Sequence, residues 1–372
     1  MRAVDCDADE IAAWLRLLET PQVGRESARR LLAAFGSPQA VLAASEARRK
    51  EVVGSVAAHA LSQAGDGHDA LLALTLAWLA QTDGPPRHLV ALGDPDYPAA
   101  LLETADPPLM LYAIGSVELL RSGSLAIVGS RNPTPQGREN AQAFAAELGR
   151  AGLTIVSGLA LGIDGAAHTG ALDTAASTVA VVGTGLDRVY PKRHLALARR
   201  IADKGLIVSE YSLGTPPLAP NFPLRNRIIA GLSRGTLVVE AALQSGSLIT
   251  ARLAVEGGRE VFAIPGSIHA PQSKGCHALI KQGAKLVESA RDILEELSWP
   301  GLEETPTAPT QREPAAAHPI VEAMGYEPIS LDELVRRTGW SAAELNVRLL
   351  ELELGGVVAR LPGQCFQRIG QG

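Results

Sequence analysis

Short apolar runs that end in small residues alternate with stretches of helical periodicity through the middle of the chain. Residues 125–128 form such a run, typical of a buried parallel strand, and it stops at Gly129-Ser130-Arg131. Thr134 and Pro135 suit the cap and the first position of a helix. The apolar positions that follow recur at three and four residues on one face: Ala141, Phe144, Ala145 and Leu148. A second apolar run at 153–156 ends again in small residues, so the pattern predicts a strand, a helix and a strand.

The same alternation continues to residue 266 and defines the predicted fold. Further apolar runs lie at 178–182, 206–211, 236–240 and 261–266, with helical stretches between most of them. Alternation over this length predicts an α/β domain built on an extended Rossmann-like, doubly wound and mostly parallel sheet. We assign residues 67–298 to this domain.

An N-terminal helical unit is predicted at residues 1–66. Its short helices surround a turn at 21–24, similar to the SAM-like and helix-hairpin-helix modules in which N–H groups of a glycine turn touch a DNA phosphate. Arg25 and Arg29 follow that turn and are predicted as secondary DNA contacts. A helical bundle that binds nothing fits the same pattern equally well.

The C-terminal part of the chain predicts a linker and a small domain. The prolines of residues 299–318 indicate a flexible linker. Residues 319–372 predict two helices and a two-stranded hairpin, the order of a winged-helix domain. Its second helix carries Glu344, Glu351 and Glu353 against Arg348, so direct DNA contact and a regulatory or interaction role both remain open.

The carboxyl edge of the predicted sheet is the expected ligand site. Tight turns that lead into helices leave backbone N–H groups unpaired at the positive end of the helix dipole, an arrangement that favours an anion. Arg131 can add a fork of donors suited to a phosphate. Gly129 is followed next by Gly137, so the G-x-G-x-x-G fingerprint of dinucleotide folds is absent, and no Walker-type phosphate loop occurs. No nucleotide cofactor is therefore expected.

Composition narrows the choice of partner. The net charge of the 372-residue chain is −6, whereas a protein that coats nucleic acid through bulk charge would be basic, so phosphate contacts must come from a local patch. Cys6, Cys276 and Cys365 are too far apart to suggest a disulfide framework or a zinc site, so no metal is expected. Neither a signal peptide nor an apolar stretch of membrane-spanning length is evident, which predicts a cytoplasmic protein without membrane contact.

Basic and polar side chains gather in the predicted loops after the strands. Because strand ends of this kind share one edge of a doubly wound sheet, we predict a single phosphate-binding groove, although separate surface charges remain an alternative. The predicted phosphate-binding residues are Gly129, Ser130, Arg131, Gly158, Lys192, Arg193, Asn221, Arg225, Asn226 and Arg227. Phe222 is a candidate for base stacking, with a core position as the alternative. Asp164 and His168 are expected to be structural, and residues 245–250 suit a helix cap or an anion-binding turn. No catalytic residue is assigned.

Five ordered motifs give the chain a specific resemblance. They are Val128-Gly129-Ser130-Arg131, the segment 157–164 (SGLALGID), Tyr190-Pro191-Lys192, the segment 222–231 (FPLRNRIIAG) and the segment 245–251 (SGSLITA). Together they resemble the DNA-processing protein A (DprA/Smf) family, densely over residues 90–290, and both flanking domains fit it.

The resemblance implies a non-enzymatic recombination mediator. Such a protein would form a homodimer, bind and protect incoming single-stranded DNA in natural transformation (competence), bind double-stranded DNA more weakly, and load the RecA recombinase. By motif, residues 129–131 would grip a phosphate, Lys192 would hold the neighbouring backbone, and residues 225–227 would border the pocket. Leu161 stands where a basic residue is common, which removes a contact, and Arg193-His194 replaces an acidic residue and Asn.

An enzyme is the competing interpretation. Arg234-Gly235-Thr236 with Glu240 partly resembles the nucleotide phosphoribohydrolases, which cleave nucleoside monophosphates in a similar crevice. The Pro-Gly-Gly that precedes this motif in those enzymes is replaced here by Leu232-Ser233.

Overall fold

A large, mostly parallel sheet forms the centre of the molecule. The computed structural model describes residues 7–63, 67–300, 318–326 and 328–369. Within these ranges nine strands make one sheet: β1 (Arg87–Ala91), β2 (Met110–Gly115), β3 (Ser124–Val128), β4 (Thr154–Ser157), β5 (Thr178–Val182), β6 (Leu206–Ser209), β7 (Gly235–Val238), β8 (Glu260–Ala263) and β9 (Lys285–Leu286).

The strand order is β1-β2-β6-β5-β4-β3-β7-β8-β9. β1 pairs with β2, and β2 with β6, in antiparallel fashion, whereas β3 to β9 are joined by parallel pairs. The carboxyl ends of β3, β4, β5 and β7 consequently point to the same edge. The predicted α/β class with a mostly parallel sheet is confirmed.

Helices cover both faces of this sheet, as the doubly wound prediction requires. They are α6 (Ala99–Leu102), α7 (Pro135–Arg150), α8 (Ile163–Ala171), α9 (Leu195–Lys204), α10 (Asn221–Leu232), α11 (Ser247–Glu256), α12 (Lys274–Lys281) and α13 (Ala290–Glu296). Residues of β3 show the division. Leu125 and Ile127 pack in the core under α7 and α8, whereas Ala126 and Val128 pack in the core under α10 and α11. A strand buried on both faces must be apolar throughout, which explains its uninterrupted sequence.

Local sequence chemistry sets the beginning of α7 as predicted. The Thr134 hydroxyl accepts a hydrogen bond from the Gly137 amide at 2.9 Å, and Pro135 occupies the first helical position. Ala141, Phe144, Ala145 and Leu148 are buried against the sheet.

The N-terminal helices pack directly on the antiparallel edge of the sheet. These helices are α1 (Ala8–Glu19), α2 (Arg25–Phe35), α3 (Pro38–Ala43), α4 (Glu46–Ser62) and α5 (His68–Leu79). Trp14 of α1, Trp78 of α5 and Tyr112 of β2 belong to one buried cluster, so this layer shares its core with the sheet. The predicted division between residues 66 and 67 separates α1 to α4 from α5. In the structure α1 and α5 pack together in that core, across this division.

A winged-helix domain follows at the C-terminal end. It comprises α14 (Pro319–Met324), β10 (Ile329–Ser330), α15 (Leu331–Thr338), α16 (Ala342–Leu354), β11 (Val358–Leu361) and β12 (Cys365–Arg368), with strand order β10-β12-β11. Most of the predicted linker, residues 301–317, lies outside the described residues. Its first residue is anchored, because the indole of Trp299 donates to the carbonyl oxygen of Ala151 at 2.8 Å. None of the helices in the described ranges has both the length and the apolar content that crossing a bilayer requires.

Candidate nucleic-acid interface

A cleft of about 480 Å³ opens at the carboxyl edge of the sheet, between the loop after β3 and the first turns of α10 and α11. Six of the residues predicted to bind DNA line it: Gly129, Ser130, Arg131, Phe222, Arg225 and Asn226. Ala242, Gln244 and the segment 245–247, around the start of α11, also line it. The topology therefore brings side chains from separate parts of the sequence into one site, as expected for a doubly wound sheet.

Close packing fixes the backbone of the loop after β3. A Cβ on Gly129 would lie 2.7 Å from the Ile163 side chain and 2.9 Å from the Glu240 carbonyl oxygen, so a larger residue cannot fit there without a shift. The Ser130 carbonyl oxygen accepts from the Ile163 amide at 3.1 Å, and the Ser130 hydroxyl accepts from the Asn132 amide at 3.1 Å. These contacts hold the loop while the Arg131 side chain remains exposed.

Aromatic contacts connect Arg131 to the loop after β5. The guanidinium carbon of Arg131 lies 5.9 Å from the centre of the Phe222 ring, and that ring lies 5.5 Å from the ring of Tyr190. Lys192 and Arg193, two and three residues further along the chain, are exposed in a short 3₁₀ turn. They do not line the cleft itself, but the ring contacts place their turn at its mouth. Phe222 therefore links Arg131 to Tyr190, two residues before Lys192, and the phosphate contacts of Lys192 and Arg193 stay predictions.

The third residue of that turn, His194, attaches it to the loop after β4. Its Nδ1 atom is 3.0 Å from the Leu159 carbonyl oxygen. The imidazole also packs on Gly165 of α8, where a Cβ would lie 2.7 Å from the ring.

Arg225 supports the loop after β4 from inside the protein. The residue is 4% exposed, and its Nη2 atom donates to the Gly158 carbonyl oxygen at 2.8 Å. Burial lowers the pKa of Arg225 to about 10, so the guanidinium remains charged at neutral pH. A Cβ on Gly158 would lie 1.5 Å from Nη1 of this arginine, so any larger residue there would displace the guanidinium. A phosphate contact from Arg225 stays a prediction, since its hydrogen bond in the structure is made to the protein backbone.

Asp164 and His168 occupy the same buried cluster. The Asp164 carboxylate accepts from the amides of Gly158 at 3.1 Å and Ala160 at 3.3 Å, and burial raises its pKa. His168 Nε2 accepts from the Leu159 amide at 3.3 Å. Its Nδ1 lies 2.7 Å from the Thr178 hydroxyl, which itself donates to a carbonyl oxygen, so Nδ1 carries the proton. Burial, reinforced by the charges of His194 and Arg225, lowers the pKa of His168 to about 3. Both side chains thus bind the loop, in agreement with the expected structural role.

Other predicted DNA-binding residues lie away from the lining of the cleft. Asn221 is buried, and its side chain donates to the Gly183 carbonyl oxygen at 3.1 Å. Arg227 pairs with Glu210 at 2.5 Å and with Asp106 at 3.0 Å. Arg25 and Arg29 also bind Asp106. Their predicted DNA contacts remain predictions, and in the structure these arginines bind carboxylates.

Sequence reasoning missed the acidic partners and one polar wall residue. Asp106 lies in an irregular, proline-rich segment and Glu210 follows a strand, and nothing local marks either as the partner of an arginine. Gln244 lines the cleft without belonging to a recognisable motif. The segment 245–250, which the sequence predicts as a helix cap or an anion-binding turn, leads into α11, and the Ser245 hydroxyl accepts from the Ser247 amide at 3.3 Å.

Comparison with known proteins agrees with this architecture. The family model described as DNA recombination-mediator protein A matches residues 88–298. A DprA-like N-terminal HHH domain matches residues 8–59, and the DprA winged helix domain matches residues 304–364.

Individual relatives cover most of the chain. Protein Smf of Escherichia coli K12 is 46% identical over 298 residues, which are 78% of this chain and 79% of that protein. DNA processing protein DprA of Streptococcus pneumoniae R6 is 50% identical over 206 residues, covering 55% of this chain and 73% of that protein.

Two solved structures resemble this one. The X-ray structure of DprA from Streptococcus pneumoniae aligns with a TM-score of 0.67 at 38% identity, covering 77% of this chain and 97% of that one. DNA processing protein A from Helicobacter pylori, described as having a unique single-stranded DNA binding mode, aligns with a TM-score of 0.52 at 33% identity, covering 57% and 96%. With a family model over more than half of its length and close relatives along most of it, the chain belongs to the DNA recombination-mediator protein A (DprA/Smf) family.

Proposed function

We propose that this protein binds single-stranded DNA along the carboxyl edge of its sheet and acts as a recombination mediator. The observation that carries the proposal is the grouping of Arg131, Phe222 and the exposed Lys192 turn at one rim. Cationic side chains there neutralise backbone phosphates, and an aromatic face between them stacks an unpaired base. Bases in a duplex are already stacked, so double-stranded DNA binds more weakly.

A positive patch confined to one edge is compatible with the net charge of −6 of the whole chain. An acidic body repels nucleic acid in general, so attraction is confined to the rim where Lys192 and Arg193 are exposed. Only a few phosphates are neutralised, and the dependence of binding on salt is correspondingly modest.

Family membership supports the biological part of the proposal. In this role the protein works in the cytoplasm, protects incoming single strands during natural transformation, and loads the RecA recombinase onto them. A homodimer would present two clefts to one strand and raise its affinity through effective concentration.

The residues that would favour an enzyme are used elsewhere in the structure. Glu240 accepts from the Thr134 amide at 3.0 Å and from the Thr134 hydroxyl at 2.5 Å, so its carboxylate binds the N-cap residue of α7. Arg234 lies over the Trp299 ring, 5.2 Å from its centre. Neither side chain lines the 480 Å³ cleft. We therefore favour a binding protein over a nucleotide phosphoribohydrolase.

Salt-titrated binding curves test the proposal. Fluorescence anisotropy of a labelled single strand and of the matching duplex, measured with the full chain at several salt concentrations, should give tighter binding to the single strand. Equal or tighter duplex binding, or no binding, would contradict it. RecA-dependent strand exchange on strands precoated with a single-strand-binding protein tests the mediator role, because a mediator restores the reaction. Release of free base from nucleoside monophosphates would instead support the enzyme.

A further inference from the structure

A cluster of five charged side chains joins the N-terminal helices to the helix that lines the DNA cleft. Asp106 is at its centre, in the connection between β1 and β2. Its carboxylate lies 2.7 Å from Arg25 Nη2 and 3.0 Å from Arg227 Nε, and it also accepts from Arg29 Nη1. Glu210 completes the cluster, 2.5 Å from Arg227 and 3.7 Å from Arg25.

The cluster is partly buried, so water weakens its ion pairs less than it weakens ion pairs on the surface. The side chains of Arg227 and Glu210 are 12% and 10% exposed, and Asp106 is 30% exposed. Burial alone would raise the pKa of Asp106, but the hydrogen bonds and charges of its three arginines outweigh burial and lower it. Separating one of these charges from its partners is costly, because an unpaired charge in a half-buried site no longer has the attraction that offsets its desolvation.

α10 is the element that connects this cluster to the cleft. Phe222, Arg225 and Asn226 line the cleft, and Arg227 is the next residue of the same helix. Phe222 and Arg227 lie within two turns of one helix, whose backbone hydrogen bonds join successive turns, so a shift of Arg227 also moves Phe222. Further along α10, Gly231 packs tightly, since a Cβ there would lie 2.6 Å from the Thr104 side chain in the segment that leads to Asp106.

We infer that Asp106 is a positioning residue for the DNA site: it draws α2, α10 and the end of β6 together and thereby holds Phe222 and Asn226 at the cleft. The inference rests on the proposed function. It gives the N-terminal helical domain a part in single-strand binding that needs no contact with DNA.

An opposite role for the same residue defines the test. If Arg25 and Arg29 contacted DNA themselves, as their place after the helical turn suggests, Asp106 would mask them. Removing its charge would then tighten binding and steepen the salt dependence, because more cations would be free to neutralise phosphates. Under the positioning role the same change weakens binding and leaves the salt slope unchanged.

Asp106→Asn in the full chain distinguishes these roles. We expect roughly fivefold weaker binding of a labelled oligothymidylate, within the range of couplings in one ion-pair network, with the wild-type salt slope. Asp106→Glu, which keeps the charge, should recover part of the affinity. Asp96→Asn is the matched control, because Asp96 lies in the same connection, is 28% exposed and pairs at 3.7 Å with Arg121, which is not a member of the cluster. It should bind like wild type.

Double-mutant cycles separate positioning from a general loss of stability. Asp106→Asn acts through α10, so its effect should largely disappear in a Phe222→Ala background and persist in a Lys192→Ala background. Equal effects in both backgrounds, wild-type affinity of Asp106→Asn, or tighter binding would overturn the inference.

A second variant covers the case in which Asp106→Asn fails to fold. Arg29→Gln removes one partner of Asp106 from the α2 side and should weaken binding without changing the salt slope. A lower slope in this variant would contradict positioning and indicate direct contact. A wild-type chain that does not bind single strands would instead overturn the proposed function itself, and the inference with it.

Discussion

Arg131 and Phe222 meet across the mouth of the cleft, with the guanidinium carbon 5.9 Å from the ring centre. One belongs to the loop after β3 and the other to the first turn of α10, so the contact joins two elements that are far apart in the chain. A cation next to an aromatic face can hold the phosphate and the base of one nucleotide together. Tyr190 extends the aromatic surface, since the centre of its ring lies 5.5 Å from that of Phe222, with 37° between the two planes.

Loss of either exposed cation should reduce the electrostatic part of binding. Arg131→Ala and Lys192→Ala are each expected to weaken single-strand binding almost independently of base sequence, and to lower the salt slope by about one unit or less, since each removes one phosphate contact. Anisotropy titrations at four or more salt concentrations measure both quantities.

Arg150→Ala is the matched control for these two variants. Arg150 is exposed at the end of α7, which runs back from the carboxyl edge to the opposite edge of the sheet. This variant loses the same charge and should keep the wild-type slope. Wild-type slopes in both Arg131→Ala and Lys192→Ala would contradict the assignment of the rim.

Truncation of Phe222 should weaken binding by a different route. Phe222→Ala is expected to lose about 1–3 kcal/mol for a stacked base, with little change in the salt slope because no charge is removed. Phe222→Tyr keeps the ring and should bind nearly as wild type, whereas Phe222→Leu keeps the apolar contact with Tyr190 but not the stacking face. Equal affinity of the Leu and Tyr variants would show that the ring serves packing only.

The layered fold could be predicted from the sequence because its determinants are local. Apolar runs such as 125–128 are uninterrupted since both faces of β3 are covered, and Thr134 with Pro135 sets the start of α7 by short-range chemistry. The rule that parallel strands end at one edge then brought residues 129–131 near Phe222 without any knowledge of side-chain positions.

The pairing of charges could not be predicted in the same way. Sequence placed Arg225 and Arg227 together at the groove, but the two face different surroundings. Arg225 is buried on the Gly158 carbonyl oxygen, and Arg227 is held by Asp106 and Glu210. Whether an arginine in a loop or first turn is free to bind a ligand depends on partners from other parts of the fold. The local sequence of the loop does not show which partners these are.

The role of Arg225 can be decided by comparing its effects on stability and on salt dependence. Arg225→Met removes the buried hydrogen bond to Gly158 and should cost about 2 kcal/mol of folding free energy, the range for hydrogen bonds to charged groups. If the residue only supports the loop, single-strand binding weakens at an unchanged salt slope. If it also contacts a phosphate, as the sequence predicts, the slope falls by about one. Denaturant unfolding and salt-titrated binding of the same preparation give both numbers.

The buried imidazole of His168 should make the loop after β4 sensitive to acid. Its pKa falls from 6.5 to about 3 because of burial, so folding favours the neutral ring. The stability contributed by this difference is fully present above pH 6.5 and is lost progressively as the pH falls toward the folded value, since the unfolded chain takes up the proton first. His168→Gln offers a donor and an acceptor that do not titrate there. The wild-type melting temperature should therefore fall more steeply than that of His168→Gln between pH 7 and pH 4. Titrating groups that both proteins share contribute equally to the two melting temperatures, so their contributions cancel when one is subtracted from the other. If the melting temperatures of the two proteins changed equally with pH, this histidine would not couple folding to pH.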